Sequence, residues 1–255
     1  MIVATKCLHV KHEKHPAPLH ARGGIIRTYI LLEKEFLKMR KIISFLLMTI
    51  LAVTLLSACS KSSSDPEVGD VVSMGSYKGE DIEWEILDIN DEGQMLIVST
   101  RAIDIMRYNE SQTTLSWEEC TLRGWLNGSF IEEAFDGEQQ EHILTTTVIN
   151  NDNEFYNIEG GNDTQDKVFL LSLDEVRTYY DEDEDRICLL ADNVDNSDEE
   201  IADLDSRQCN WWLRSPGSYR MNAAYVEIPG SINEHGIWVD WQRGVRPAMW
   251  VDEIV

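Results

Sequence analysis

The run from Ile42 to Leu56 constrains this chain more than any other feature, because it decides which residues are left to fold. Its only polar residues are Ser44, Thr49 and Thr54, it comes after Lys38, Arg40 and Lys41, and it leads into Leu56-Ser57-Ala58-Cys59. A basic n-region, an apolar stretch of this length and small residues before a cut describe an export signal, too short for a membrane span. The fold is then built from the residues beyond Cys59, outside the cytoplasm. The whole chain has 255 residues, 43% hydrophobic and 27% charged, a globular composition. With the signal set aside, the remainder is sized for one domain.

Leu-Ser-Ala-Cys resembles the lipobox of bacterial lipoproteins. The resemblance implies that Cys59 receives a diacylglycerol and becomes the new N-terminus. The membrane is then a partner through this anchor, on its extracytoplasmic face. The alternative is a plain signal peptide with a chance cysteine. On the first reading, residues 39–58 are the signal peptide, 59–70 a Ser-rich polar tether and 71–255 the globular domain. Residues 1–38 sit awkwardly ahead of a lipoprotein signal. Met39 is expected to be the start, since Lys34-Glu35 can be encoded by AAGGAG, a ribosome-binding sequence. Residues 1–38 would then be leader read as protein.

Residues 1–59 hold nine Lys/Arg and three Asp/Glu, so the rest carries 13 basic and 43 acidic residues, a charge near −30. That argues against nucleic acid as a partner and against close contact with an anionic membrane. Past Cys59 the cysteines are Cys120, Cys188 and Cys209, without the CxxC spacing of a zinc cluster. A Cys188–Cys209 disulfide is the candidate pairing in an exported protein. Only His142 and His235 remain for histidine chemistry.

Along this portion, 81–87 alternates apolar with charged, Asn90-Asp91-Glu92-Gly93 turns, and 94–99 returns. The pattern predicts a hairpin whose first strand is an edge and whose second is more central. Capping boxes are expected at Ser116, Ser129 and Ser172. The first opens a helix with Leu122, Trp125 and Leu126 on one face. The second is closed by Asp136-Gly137, and the third carries Val176, Tyr179 and Tyr180. Trp117 and Trp125, at helical spacing beside leucines, read as core rather than as a ligand shelf. A short helix is expected over 138–144 and strands over 145–149 and 166–172. Residues 181–205 are the most acidic stretch. Asp181, Asp183 and Asp185 are candidate calcium ligands, since hard cations take converging oxygens. The glycine and ordered spacing of an EF-hand are missing, so an acidic solvated insertion is the competing account.

The C-terminal third is aromatic. Trp211-Trp212-Leu213-Arg214 runs into Ser215-Pro216-Gly217-Ser218, which predicts a type II turn with Gly217 at positive φ. Strands are expected over 223–228, 236–240 and 244–251, with Pro247 marking an edge or bulge. Alternation puts Trp211 and Trp212 on opposite faces, so one of them is expected in the core. The fold class that results is α+β, a single domain with a mostly antiparallel sheet and a few short helices.

Trp117 with Leu122-Arg123-Gly124-Trp125-Leu126-Asn127, then 143–148, 168–172, Trp211–Gly217 and Gly244-Val245-Arg246-Pro247-Ala248 occur in this order. As a set they resemble the DUF6273 family, a domain of unknown function in secreted and surface proteins of Clostridia and relatives. The resemblance spans residues 80 to 252, with an unusually acidic departure between Arg186 and Ser206. More loosely, the tryptophan-rich strand and the Gly-Val-Arg-Pro strand resemble the C-type-lectin-like fold of formylglycine-generating enzymes. That likeness implies paired N- and C-terminal strands with helices packed on one side. The copper-binding cysteines of those enzymes and the Glu-Pro-Asn sugar site of lectins have no counterpart here.

Three functions remain open. A non-catalytic surface module would bind an envelope glycan or protein through Trp211, Trp212, Tyr225, Trp238 and Trp241, with Arg214 and Asp240 (and Arg243) supplying hydrogen bonds. An envelope assembly protein would bind calcium, the only cofactor considered, or a basic partner in its acidic loop. A hydrolase would use paired carboxylates, although no Gly-x-Ser-x-Gly elbow, Cys/His dyad or metal triad is present.

Overall fold

Alternation over 81–87 and the apolar run over 95–98 build two of the first three strands of a computed structural model that describes residues 65–195, 201–203 and 205–255. The signal, Cys59 and the start of the tether lie outside the described residues. Strands β1 (Val71–Tyr77), β2 (Glu80–Ile89) and β3 (Met95–Ser99) form an antiparallel meander. The expected hairpin is thus β2–β3, but β2 is not the edge, because β1 lies outside it. Residues 71–77 give no clear strand signal because Ser73, Gly75 and Ser76 dilute the apolar pattern. Gly75 is required there: at φ +74° a Cβ would strike the Phe135 ring.

Strands β4 (Arg101–Ala102) and β5 (Asp104–Arg107) come next. The Ser116 capping box forms, over a 3-10 turn Trp117–Glu119, and Trp117 is buried. Helix α1 (Thr121–Trp125) runs through a π-like turn, kinked at Gly128, into α2 (Ile131–Ala134). Ser129 directly follows that kink, but the helix after it has Phe130 at its N-cap, with no side-chain cap hydrogen bond. Asp136-Gly137 does not close a helix either. Asp136 is the N-cap of α3 (Gly137–His142), accepting from Gln139 N–H at 2.9 Å. Strands β6 (Thr146–Val148), β7 (Thr164–Asp166) and β8 (Val168–Leu170) lead to the third predicted box, at Ser172, which opens α4 (Leu173–Tyr179).

After β9 (Leu189–Leu190) come β10 (Trp211–Pro216), β11 (Asn222–Val226), β12 (Ile232–Trp238), β13 (Gln242–Val245) and β14 (Pro247–Val251). The first five-stranded sheet has the order β1-β2-β3-β14-β8, and the second β12-β11-β10-β13-β5. Every pairing in them is antiparallel except β10 with β13, so the fold is α+β with mostly antiparallel sheets. The 244–251 stretch is not one strand. Arg246 breaks it, and the chain passes from the second sheet into the first. Pro247 starts a central strand, where no ladder donor is demanded of it, and is neither at an edge nor in a bulge. The last strand, β14, pairs with β3 and β8, and β2 and β3 separate it from β1, so the first and last strands are not neighbours.

No type II turn forms at Pro216-Gly217. Pro216 still belongs to β10, Gly217 does not have positive φ, and its N–H donates to Asn222 O at 2.8 Å. Gly217 is needed for close approach instead: a Cβ there would meet the His235 carbonyl and lie 2.8 Å from Asn222 Cβ.

Candidate functional site

β10 lies at the centre of the second sheet, between β11 and β13, and both of its faces are covered. Trp211 and Trp212 are therefore both fully buried, where alternation alone placed one of them in the core. Trp211 Nε1–H donates to Arg186 O at 3.0 Å, and the Arg246 guanidinium stacks 5.1 Å from its ring. Trp212 Nε1–H donates to Met106 O at 2.9 Å, with the Tyr108 and Tyr225 rings edge-on at 5.6 and 6.4 Å. Neither indole is open to a ligand. Tyr225 is also buried, its hydroxyl on Glu227 at 2.8 Å and its ring under Arg243. Burial and Glu227 push its phenol up to about 12.

Arg214 is 3% exposed and binds within the protein. It donates to Leu170 O at 2.7 Å, to Ile149 O at 2.9 Å and to both carboxylate oxygens of Glu175. Glu175 also accepts the Ser172 N–H at 2.8 Å, so one ion pair fixes the start of α4, the end of β8 and the stretch after β6. The other motif residues behave alike. Arg123 and Trp117 meet on buried Asp166, Nε to Oδ1 at 2.7 Å and Nε1 to Oδ2 at 2.9 Å. Arg246 donates to Ser99 O at 2.8 Å, and buried Arg186 to Gly230 O and Tyr180 O at 2.9 Å each. These arginines tie main-chain carbonyls of separate segments together.

Outward-facing aromatics gather elsewhere. Trp238, at the end of β12, and Trp241, in the turn to β13, are 39% and 44% exposed. The turn is closed by Trp241 N–H to Trp238 O at 3.0 Å and anchored by Asn109 N–H to Val239 O at 2.8 Å. Asp240 lies between the two indoles in sequence, and its Oδ1 is buried without a hydrogen-bond partner. The β10–β11 loop adjoins this turn: Val239 N–H donates to Met221 O at 3.0 Å, and Asn222 faces Trp238 across the ladder. That loop carries Tyr219, 61% exposed, and Asn222 Oδ1 is a second buried oxygen with no partner. Tyr219 is not among the sequence candidates, and its place just past Pro216-Gly217 in a loop was the available signal. Of the seven candidate ligand residues, the fold thus brings together Trp238, Asp240 and Trp241 at one tip. It withdraws Trp211, Trp212, Arg214 and Tyr225 into the core.

The acidic candidates do not converge. Asp183 pairs with Arg186, and Asp185 accepts the Glu182 N–H at 3.3 Å, capping a 3-10 turn over Asp183–Arg186. Among the described residues, no group of three or more His, Cys, Asp or Glu is placed to hold a metal ion. Asp185 is used in local capping and Asp183 on an arginine, which holds these two carboxylates away from a shared cage. Part of the presumed insertion is core as well, since Arg186, Cys188 and Leu190 are buried and β9 pairs with β4. Cys188, Cys209 and Cys120 are buried free thiols in the structure. A cleft of about 480 Å³ beside β1 and β2 holds Glu80, Asp81, Glu83 and Asp192, and its Arg101 is bound by Asp192 at 2.8 Å. No exposed aromatic ring lines it. No helix among the described residues is long and apolar enough to cross a membrane.

The family model described as a domain of unknown function, DUF6273, matches residues 92–253. No curated protein matches the chain, and no solved structure does.

Proposed function

The chain belongs to the DUF6273 family, and from that premise we propose that it is a lipid-anchored surface protein whose domain binds a glycan of the cell envelope without transforming it. The observation that carries this reading is the tip built by Trp238, Asp240 and Trp241, in which two part-exposed indoles stand on either side of Asp240 in sequence. Indole faces offer flat, rigid apolar area for the C–H faces of sugar rings, and the half-buried Asp240 between them in sequence carries a carboxylate of the kind that accepts a hydroxyl hydrogen. Size favours a sugar over a protein. Two indoles at this exposure offer roughly 100 Å² each, and Tyr219 brings the total to roughly 300 Å², against about 800 Å² per partner in a stable protein interface. At about 25 cal/mol/Å² less the cost of association, such a contact gives weak affinity, of order millimolar per module. Anchoring through Cys59 compensates by holding the domain at high local concentration near the wall.

The test is a titration of the protein with soluble muropeptides and with neutral wall polysaccharide fragments, monitored by tryptophan fluorescence. Binding is expected to shift emission, and Trp238→Ala or Trp241→Ala to weaken it at least tenfold while leaving Tm within about 2 °C. Unaltered binding in the double variant, or no binding of either polymer class, overturns the proposal.

A further inference from the structure

Cys188 and Cys209 sit at the neck of the acidic excursion, where the two ends of the 189–208 stretch come together; Leu190, Ile201 and Ala202 within it are buried. An antiparallel bridge joins Leu189 to Gln208, so the two cysteines stand directly opposite one another, one step along. Cys209 N–H donates to Cys188 O at 2.8 Å, and Leu190 N–H to Arg207 O at 2.9 Å. Opposed residues of such a pair have Cα atoms about 5.5 Å apart and side chains on one face, within the span a disulfide bridges. The two residues are 1% and 2% exposed, and Cys188 Sγ–H donates to Leu189 O at 3.5 Å. Two neighbours shape the place. Gly244 leaves room, since a Cβ there would lie 3.0 Å from Cys209 Sγ. The buried Arg246 guanidinium acts on both sulfurs, and its Nη1 has no hydrogen-bond partner. Cys120 is occupied elsewhere, its Sγ accepting the Arg123 N–H at 3.3 Å.

We propose that Cys188 and Cys209 form a disulfide in the exported protein, closing the acidic excursion at its neck. Burial opposes ionisation of Cys188, but the adjacent Cys209 and the nearby Arg246 charge outweigh it and lower that thiol, whereas Cys209 is raised by the adjacent Cys188 and by burial. Cys188 is therefore the attacking sulfur. The oxidant is a disulfide of a thiol–disulfide exchange partner. The Cys188 thiolate attacks one partner sulfur, forming a mixed disulfide and releasing the other as thiolate. Cys209, having given its proton to solvent, then attacks Cys188 Sγ and expels the second partner sulfur. The chain loses two electrons and two protons, and the partner becomes a dithiol. Because both sulfurs are buried, exchange takes place before the neck packs or when it opens locally.

The full chain, incubated with oxidised glutathione, alkylated in denaturant, digested and mapped by mass spectrometry, tests this. A Cys188–Cys209 cross-linked peptide that reductant abolishes is expected, with Cys120 alkylated. Reduction should also lower Tm by roughly 6–12 °C, the effect of opening a loop of about 20 residues in a domain of this size. The Cys188→Ser/Cys209→Ser variant should lose that redox dependence. Recovery of both cysteines alkylated or glutathionylated, a bridge to Cys120, or a reductant-sensitive Tm that persists in the double variant overturns the proposal.

Discussion

Replacing Arg214 by methionine separates scaffold from binding platform at the tryptophan-rich strand. Methionine keeps much of the aliphatic volume packed near Phe169, so the loss is mainly polar. The guanidinium side chain is 2% exposed and its partner Glu175 29%. Removing one member of a buried pair costs about 3–5 kcal/mol, and the water that reaches Glu175 moves the figure to the lower end. The Leu170 and Ile149 carbonyls lose a charged donor each, adding up to about 1 kcal/mol in a site this small. We expect about 3–4 kcal/mol, a fall in Tm of roughly 6–14 °C, measured by urea and thermal unfolding with tryptophan fluorescence. Glu175→Gln keeps an oxygen for the Ser172 N–H and one bond to Arg214, so it should cost about 1–2 kcal/mol. The double variant should then lose less than the sum by at least about 1 kcal/mol, the signature of a direct contact. A loss below about 1 kcal/mol for Arg214→Met, or additivity within about 0.3 kcal/mol, would refute the scaffold role. Weakened glycan binding with unchanged stability would refute it too.

Local geometry sets two contrasting outcomes at glycines. Gly217→Ala should destabilise by about 1–3 kcal/mol, because its Cβ meets the His235 carbonyl and Asn222 Cβ. Gly124→Ala, with nothing within 4 Å and a helical setting, should be neutral or stabilising by up to about 1 kcal/mol, and equal effects in paired thermal melts would contradict both. His142 is raised from its ordinary value by the hydrogen bond to Asp252 at 2.9 Å, which joins α3 to the end of β14. A raised folded pKa means the bridge stabilises fully below the unfolded value near 6.5 and is lost as pH climbs through the folded one. In an NMR titration, Asp252→Asn should return the His142 midpoint towards 6.5, and an unchanged midpoint would disprove the contact.

Strands were legible where alternation was clean, as in β2, and where an apolar run was bounded by turn residues, as in β3 and β11, which are buried throughout. Residues 71–77 were hidden because Ser73, Gly75 and Ser76 interrupt the pattern for the sake of a bulge against Phe135. Ser129 and Asp136 mislead for one reason. Ser-x-x-Glu and Asp-Gly are local signals, and whether a helix starts or ends there depends on packing several residues away. The break at Arg246 could not be read from sequence either. Gly244–Val251 is continuous as a propensity pattern, and only the presence of two sheets makes the chain change partners. The expectation of export made Cys188 and Cys209 candidates for pairing, but their opposition in register comes from the fold.

The candidate site divides along a physical line. Arg123, Arg214, Arg246, Trp117, Trp211 and Trp212 carry many donors into a water-poor interior, so each must find partners at fixed positions. A substitution at either end of such a contact strands a buried polar group, which costs about 1–3 kcal/mol or more. Positions of this kind make a dense, recognisable motif because folding alone restricts them. Trp238, Asp240 and Trp241 are under no such demand: the indoles reach solvent and the turn that presents them closes through main-chain bonds. The proposed glycan site rests on these two part-exposed indoles, whose exposure folding does not require. The motif that identifies the family is therefore the part least informative about binding, and the tip outside it is where function should be tested first.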